Sequence, residues 1–151
     1  MDMRDEIILP ISVETAWQAL NNPEILQQAI PGCLSLEQVS ETELAAKVKV
    51  KIGPVAATFK GLVMLSELNP PSSYVISGSG TGGVAGSAKG QAAVKLTADG
   101  EHCILTYDVS AIVSGKIAQL GSRLVESTAK KLSQQFFDNF TNLVTDEASS
   151  S

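Results

Sequence analysis

Between Glu43 and Ile52 apolar and charged side chains alternate without a break. Leu44, Ala46, Val48, Val50 and Ile52 fall on one parity, and Lys47, Lys49 and Lys51 on the other. A sustained period of two marks an antiparallel strand with one face buried and the other solvated. Gly53-Pro54 turns the chain into Val55–Leu68, where Val55, Ala57, Phe59, Gly61, Val63 and Leu65 share a face. Asn69-Pro70-Pro71 interrupts, a strand over Ser72–Ser79 follows, and Ala88–Ala98 alternates again. Asp99-Gly100 is a hairpin turn, after which Cys103, Leu105, Tyr107, Val109, Ala111 and Val113 line one side of a last strand. Ahead of all these, Met3–Leu9 is a short β-rich run closed by Pro10. Ser12 is a good N-cap for a helix carrying Val13, Trp17 and Leu20. Asn22-Pro23 opens a second short helix, and Pro31-Gly32 ends it.

From Gly115 the period becomes helical, through Ile117, Leu120, Leu124, Thr128, Leu132, Phe136, Phe140 and Leu143. About thirty residues at 1.5 Å each make a helix of ~45 Å. It is the one element able to cover the buried face of so large a sheet. The predicted class is therefore α+β: a curved antiparallel sheet of about six to seven strands around one long C-terminal helix, with two short helices after the first strand. Residues 1–145 are expected to form a single domain, and the polar tail 146–151 to be disordered.

Six of the 12 glycines lie between Gly78 and Gly90, and Gly78-x-Gly80-x-x-Gly83 spells the dinucleotide-binding fingerprint. That motif works only between a strand and a helix whose N-terminus meets the pyrophosphate. Here it lies between two strands, so a phosphate cradle is rejected. Small residues nevertheless continue into both strands on one parity: Gly78 and Gly80 before the loop, Ala88, Gly90 and Ala92 after it. Glycine inside a strand marks a bend or a close approach. A row of missing side chains facing the long helix leaves either tight packing or an apolar pocket.

Composition narrows the classes. Hydrophobic content of 44% with 18% charge is that of a folded globule. A net charge of −5 argues against nucleic acid as principal partner. The opening MDMRDEIIL has no apolar h-region and does not read as a signal peptide. No apolar run approaches the ~18 residues a membrane span needs, so a soluble, cytoplasmic chain is expected. Cys33 and Cys103 lack C-x-x-C spacing and read as buried thiols more readily than as a bridge.

Chemistry is sparse. The one histidine, His102, sits beside a turn and reads as solvated. Its neighbour Cys103 points to the opposite strand face, so the pair is no metal site. Asp108 lies on an outward parity, and Cys33 has no basic neighbour to activate it. Tyr107, on the inner face, could orient a ligand carbonyl or satisfy a backbone group. Lys47, Lys49 and Lys51, with Lys60 across the Gly53-Pro54 turn, form either an ordinary solvated face or a patch for anionic head groups or an acidic partner.

The segments IPGCLSLE (Ile30–Glu37), KVKVKIGPVAATFKG (Lys47–Gly61), GTGGVAGSAKGQAAVKL (Gly80–Leu96) and LTYDVSAIVSGKIAQLGSRLV (Leu105–Val125), with Phe136-Phe137, resemble the family of the carbon monoxide dehydrogenase G subunit. That family belongs to the START-like (SRPBCC) helix-grip superfamily, which also holds polyketide cyclases and lipid-transfer domains. The resemblance runs from about Met3 to Leu143 and implies the fold that the periodicity predicts. It also implies an accessory protein of a carbon monoxide dehydrogenase-type molybdenum hydroxylase, with roles in recruiting the enzyme to the membrane or carrying a quinone. Some members have a longer C-terminal extension suited to membrane contact. The polar residues after Val144 do not match one, so stable anchoring by this chain alone is not expected. The resemblance supplies no catalytic residues.

Three readings stand. The first is a binding module in which Val48, Val50, Phe59, Ile76, Gly78, Ala92, Tyr107, Leu120 and Leu124 line a cavity for a quinone or lipid-like molecule. No catalytic residue, metal or required cofactor belongs to this reading, and contact with the inner face of the cell membrane would be peripheral. The second is a recruitment factor with a filled core, acting through Lys47, Lys49, Lys51 and Lys60 or through the Thr81–Gly86 loop. The third, a cyclase-like enzyme, lacks an acid–base constellation.

Overall fold

A computed structural model describes residues 1–150, with side chains through residue 145. Strand β1 (Asp2–Leu9) leads into helices α1 (Val13–Leu20) and α2 (Pro23–Ala29). Ser12 caps α1, its hydroxyl accepting from the Thr15 amide at 3.2 Å. Asn22 caps α2 by accepting from the Glu24 amide at 3.0 Å, with Pro23 at the first helical position. Strands β2 (Cys33–Gln38), β3 (Glu43–Ile52), β4 (Val55–Asn69), β5 (Ser73–Thr81), β6 (Ser87–Asp99) and β7 (His102–Ser114) follow. All pair antiparallel in one seven-stranded sheet of order β1-β7-β6-β5-β4-β3-β2.

The strand that the alternation did not predict is β2. It is short and lies at a sheet edge, so Leu34 stays 55% exposed and leaves no clear inward run. The C-terminal helix also differs from its expected form. A short helix, α3 (Lys116–Gln119), is parted from the long α4 (Ser122–Ser150) at Leu120-Gly121, where Gly121 takes a φ of +97° that breaks the helix. The expected disordered tail 146–151 falls on side chains, and at 151 on backbone, outside the described residues.

Helix α4 is held at its two ends by separate apolar clusters. Toward its C-terminal end, Phe136, Phe137, Phe140 and Val144 join Leu9, Leu105, Cys103 and Tyr74 in the main core. The Asn139 side-chain amide donates to the Ala29 carbonyl at 3.1 Å, which satisfies a carbonyl at the end of α2. At its N-terminal end, Leu124 and the preceding Leu120 pack with Ile52, Phe59, Val113, Ala85 and Ile117. The loop between β5 and β6 is drawn against the end of β7 there. Gly86 and Gly115 touch so closely that a β-carbon on Gly115 would lie 2.6 Å from the Gly86 α-carbon. Cys33 and Cys103 are both free, the first half-buried and the second fully buried.

Candidate ligand cavity

The concave face of the sheet can be read strand by strand from its register. One row runs Ala46–Gly61–Gly80–Ala88–Val113, the next Leu44–Val63–Gly78–Gly90–Ala111, and the next Leu65–Ile76–Ala92–Val109. Small side chains thus cluster at the middle of the sheet, between the two apolar clusters that hold α4.

Space around these glycines separates tight packing from a hollow. A β-carbon on Gly78 would meet nothing nearer than the Leu62 carbonyl oxygen at 3.8 Å and a Val63 methyl at 3.9 Å, both ordinary contacts. On Gly80 its nearest neighbours would all be backbone atoms of β4, the first at 3.4 Å. No atom of α4 is among these neighbours. On Gly61 and Gly90 a β-carbon would be crowded, at 2.7 Å from the Ser79 and Ser110 carbonyl oxygens, but by neighbouring strands. The helix does not close onto the small-residue row.

The space left over is apolar. A cavity of about 340 Å³ lies among Leu20, Leu26 and Ile30 at the two short helices, Leu44, Val48, Val63, Leu65, Tyr74 and Ile76 of the sheet, and Phe136 and Phe137 of α4. Gln38, Glu41 and Thr42 form a polar rim. An adjoining trough of about 360 Å³ shares Ala46, Val48, Val63 and Ile76 with it and runs over Gly78, Gly80, Ala88 and Ala92. The cavity alone falls at the small end of the roughly 300–1,000 Å³ usual for small-molecule sites.

Five of the nine residues expected to line the cavity come together here. Val48 and Ile76 line both hollows, and Phe59, Gly78 and Ala92 line the trough. The other four do not. Val50, Leu120 and Leu124 are packed into the cluster at the N-terminal end of α4, where the Gly121 break directs Leu120 and Leu124. Tyr107 stacks on Phe137 at 5.4 Å and faces a different, polar hollow with Asp5 and Ser133. Burial raises its phenol, the Ser133 hydroxyl partly offsets this, and Asp5 adds to the rise.

The tyrosine on the cavity wall is Tyr74, on the same parity of β5 as Ile76 and Gly78. Parity alone was the signal that could have found it. Its ring meets Trp17 edge-on at 5.1 Å, and only 3% of the residue is exposed. Burial alone pushes its phenol well above the ordinary value.

On the convex face, Lys47 pairs directly across from Lys60, while Lys49 and Lys51 continue the same side of β3. Leu62 and Ile112, both more than half exposed, lie on this face beside Lys89. His102 is exposed at the β6–β7 turn, and Asp108 is exposed on the outward face of β7. Burial raises the Cys33 thiol, against a smaller opposing effect of a backbone hydrogen bond at Ser35. Among the described residues no cluster of three or more His, Cys, Asp or Glu is gathered for a metal. Among those residues, too, no helix is long and apolar enough to cross a membrane.

The family described as the carbon monoxide dehydrogenase G subunit (CoxG) matches residues 7–145. No curated protein matches the sequence. Among solved structures, a conserved protein from Geobacillus kaustophilus is 31% identical over 97% of this chain and 96% of its own, with a TM-score of 0.91. The ZhuI aromatase/cyclase from Streptomyces sp. R1128 is 13% identical over 98% and 95%, with a TM-score of 0.65. A norcoclaurine synthase point mutant from Thalictrum flavum, in complex with a transition-state analogue, is 14% identical over 98% and 96%, with a TM-score of 0.68. The last two share the helix-grip fold of this chain.

Proposed function

The chain belongs to the CoxG family of carbon monoxide dehydrogenase G subunits, and we propose that it is a non-catalytic accessory protein of a carbon monoxide dehydrogenase-type molybdenum hydroxylase that carries an apolar small molecule, a quinone or lipid-like compound, between sheet and helix. In that role it assists membrane association of the enzyme or electron delivery from it. The observation that carries this reading is Gly78. Its missing side chain opens onto unfilled apolar space and not onto α4, so the small-residue row has the character of a cavity wall. Catalysis is outside the reading. The acidic group on the cavity wall is Glu41, at the exposed rim, and burial holds the Tyr74 phenol protonated.

Native mass spectrometry of the purified protein, before and after exposure to a naphthoquinone, tests the proposal. A stoichiometric apolar adduct, co-purified or taken up at one per chain, is expected. A bare mass that no quinone or lipid changes would sink it.

A second reading, recruitment through the convex face, draws support from the Lys47–Lys60 pair. Like charges directly across a strand pair are destabilising, and a partner of opposite charge would relieve them. Charge reversal of Lys47, Lys49 and Lys51 should then abolish association with anionic vesicles or the dehydrogenase, and wild-type association would remove this reading.

A further inference from the structure

We propose that Tyr74 is the polar anchor of the cavity, its hydroxyl donating to one carbonyl-type oxygen on an otherwise apolar guest. The inference rests on the cavity reading above and deepens it by naming the residue and the chemistry that select the guest.

Three observations carry it. Tyr74 lines the cavity with only 3% of its surface left exposed. Among the described residues its hydroxyl has no hydrogen-bond partner: burial is the sole influence on the phenol, whereas the Tyr107 phenol has Ser133 beside it. Yet no buried side-chain oxygen or nitrogen among these residues is both sealed and unpartnered, so the Tyr74 oxygen keeps accessible surface. Tyr74 also borders a second hollow, but that one is gathered from outward-parity residues such as Lys95, Thr106 and Asp108, so a side chain on the inward parity of β5 opens to the apolar cavity.

The remaining polar groups at the cavity cannot discriminate between guests in the same way. The Asn21 side-chain amide donates to the Trp17 carbonyl at 2.9 Å, and the Thr42 carbonyl accepts from the Leu65 amide at 2.7 Å. Gln38 and Glu41 are exposed at the rim and the Thr42 hydroxyl is half-exposed beside them, where water competes for all three. Tyr74 alone meets a guest in a dry environment, where an unmade hydrogen bond is most costly. The perpendicular contact with Trp17 holds the direction of its ring. A phenol is a better donor than acceptor, so the complementary group is an acceptor oxygen such as a ketone or quinone carbonyl. The guest's body is a fused aromatic pair or a chain of similar bulk, since the cavity holds about 340 Å³.

The test uses two probes that differ in one oxygen, acetylnaphthalene and ethylnaphthalene, titrated into the full chain and followed by fluorescence. Tyr74→Phe keeps the ring and its contact with Trp17. It is expected to weaken acetylnaphthalene about tenfold, the worth of one buried hydrogen bond, and to leave ethylnaphthalene unchanged or tighter. Tyr107→Phe should change neither. Equal loss of both probes in Tyr74→Phe, or wild-type affinity for both, overturns the anchor and leaves the cavity standing. Failure of both probes to bind the wild-type chain overturns the cavity reading, and the anchor with it.

Discussion

Gly78 and Gly90 face each other across the β5–β6 pair, and only one of them is crowded. A β-carbon on Gly90 would sit 2.7 Å from the Ser110 carbonyl oxygen and 2.9 Å from the Ala111 β-carbon, against 3.8 Å for the nearest atom to Gly78. Gly90→Ala is therefore expected to destabilise the fold by about 1–3 kcal/mol, since strand backbone must shift. Gly78→Ala loses unfolded-state entropy without a clash and should be neutral or stabilising by up to about 1 kcal/mol. Urea unfolding of the two variants checks the contrast. Equal losses at both positions would mean that α4 closes on Gly78 after all.

Ala46 lies where the cavity and the trough meet, lining both. A phenylalanine there puts a ring into unfilled apolar space, so Ala46→Phe should keep the melting temperature near that of the wild type. Uptake of acetylnaphthalene should be lost, because the ring occupies the guest's volume. Retained uptake in a folded variant would place the guest elsewhere.

How far the sequence foretold the site can be judged residue by residue. The period of two separated the faces of β3 to β7 correctly, because burial alternates strictly along a sheet with one covered face. That is why Val48, Phe59, Ile76, Gly78 and Ala92 meet where parity expected them. Parity says nothing of what packs over each position. Tyr107 and Tyr74 are both inward, but register sets them side by side across Val94, and the packing of Phe137 against Tyr107 closes that end of the face. Helical periodicity likewise ran through Gly121, whose left-handed backbone turns Leu120 and Leu124 into a plug at the far end. The contributions of α1, α2 and β2 to the cavity depend on tertiary placement that no local pattern carries.

Alkaline pH offers an independent view of Tyr74. Burial raises its phenol above the ordinary value of 10.0, so the folded chain keeps a proton that the unfolded chain releases. Stability is then lost as pH rises past about 10, at up to about 1.4 kcal/mol per pH unit for this group. Tyr74→Phe removes that slope. Denaturant unfolding should show the wild type falling more steeply than the variant above about pH 10, and the two running parallel below about pH 8, where neither state loses the proton. Parallel curves throughout would mean that the phenol is solvated.

Lys47 and Lys60 allow the convex face to be tested apart from the cavity. They are direct cross-strand partners, so Lys47→Glu turns a repulsive pair into an attractive one and should raise stability by about 0.2–1 kcal/mol. A lysine near an anionic bilayer contributes ~1 kcal/mol, and its reversal should weaken binding to anionic vesicles by at least about fivefold if this face is the attachment surface. Stability and attachment then move in opposite directions, which no general damage to the fold could produce. Co-sedimentation with anionic vesicles at low and high salt, beside thermal unfolding of the same variant, reads both. A more stable variant that sediments like the wild type would assign these lysines to the solvated outer face and leave the cavity as the chain's working part.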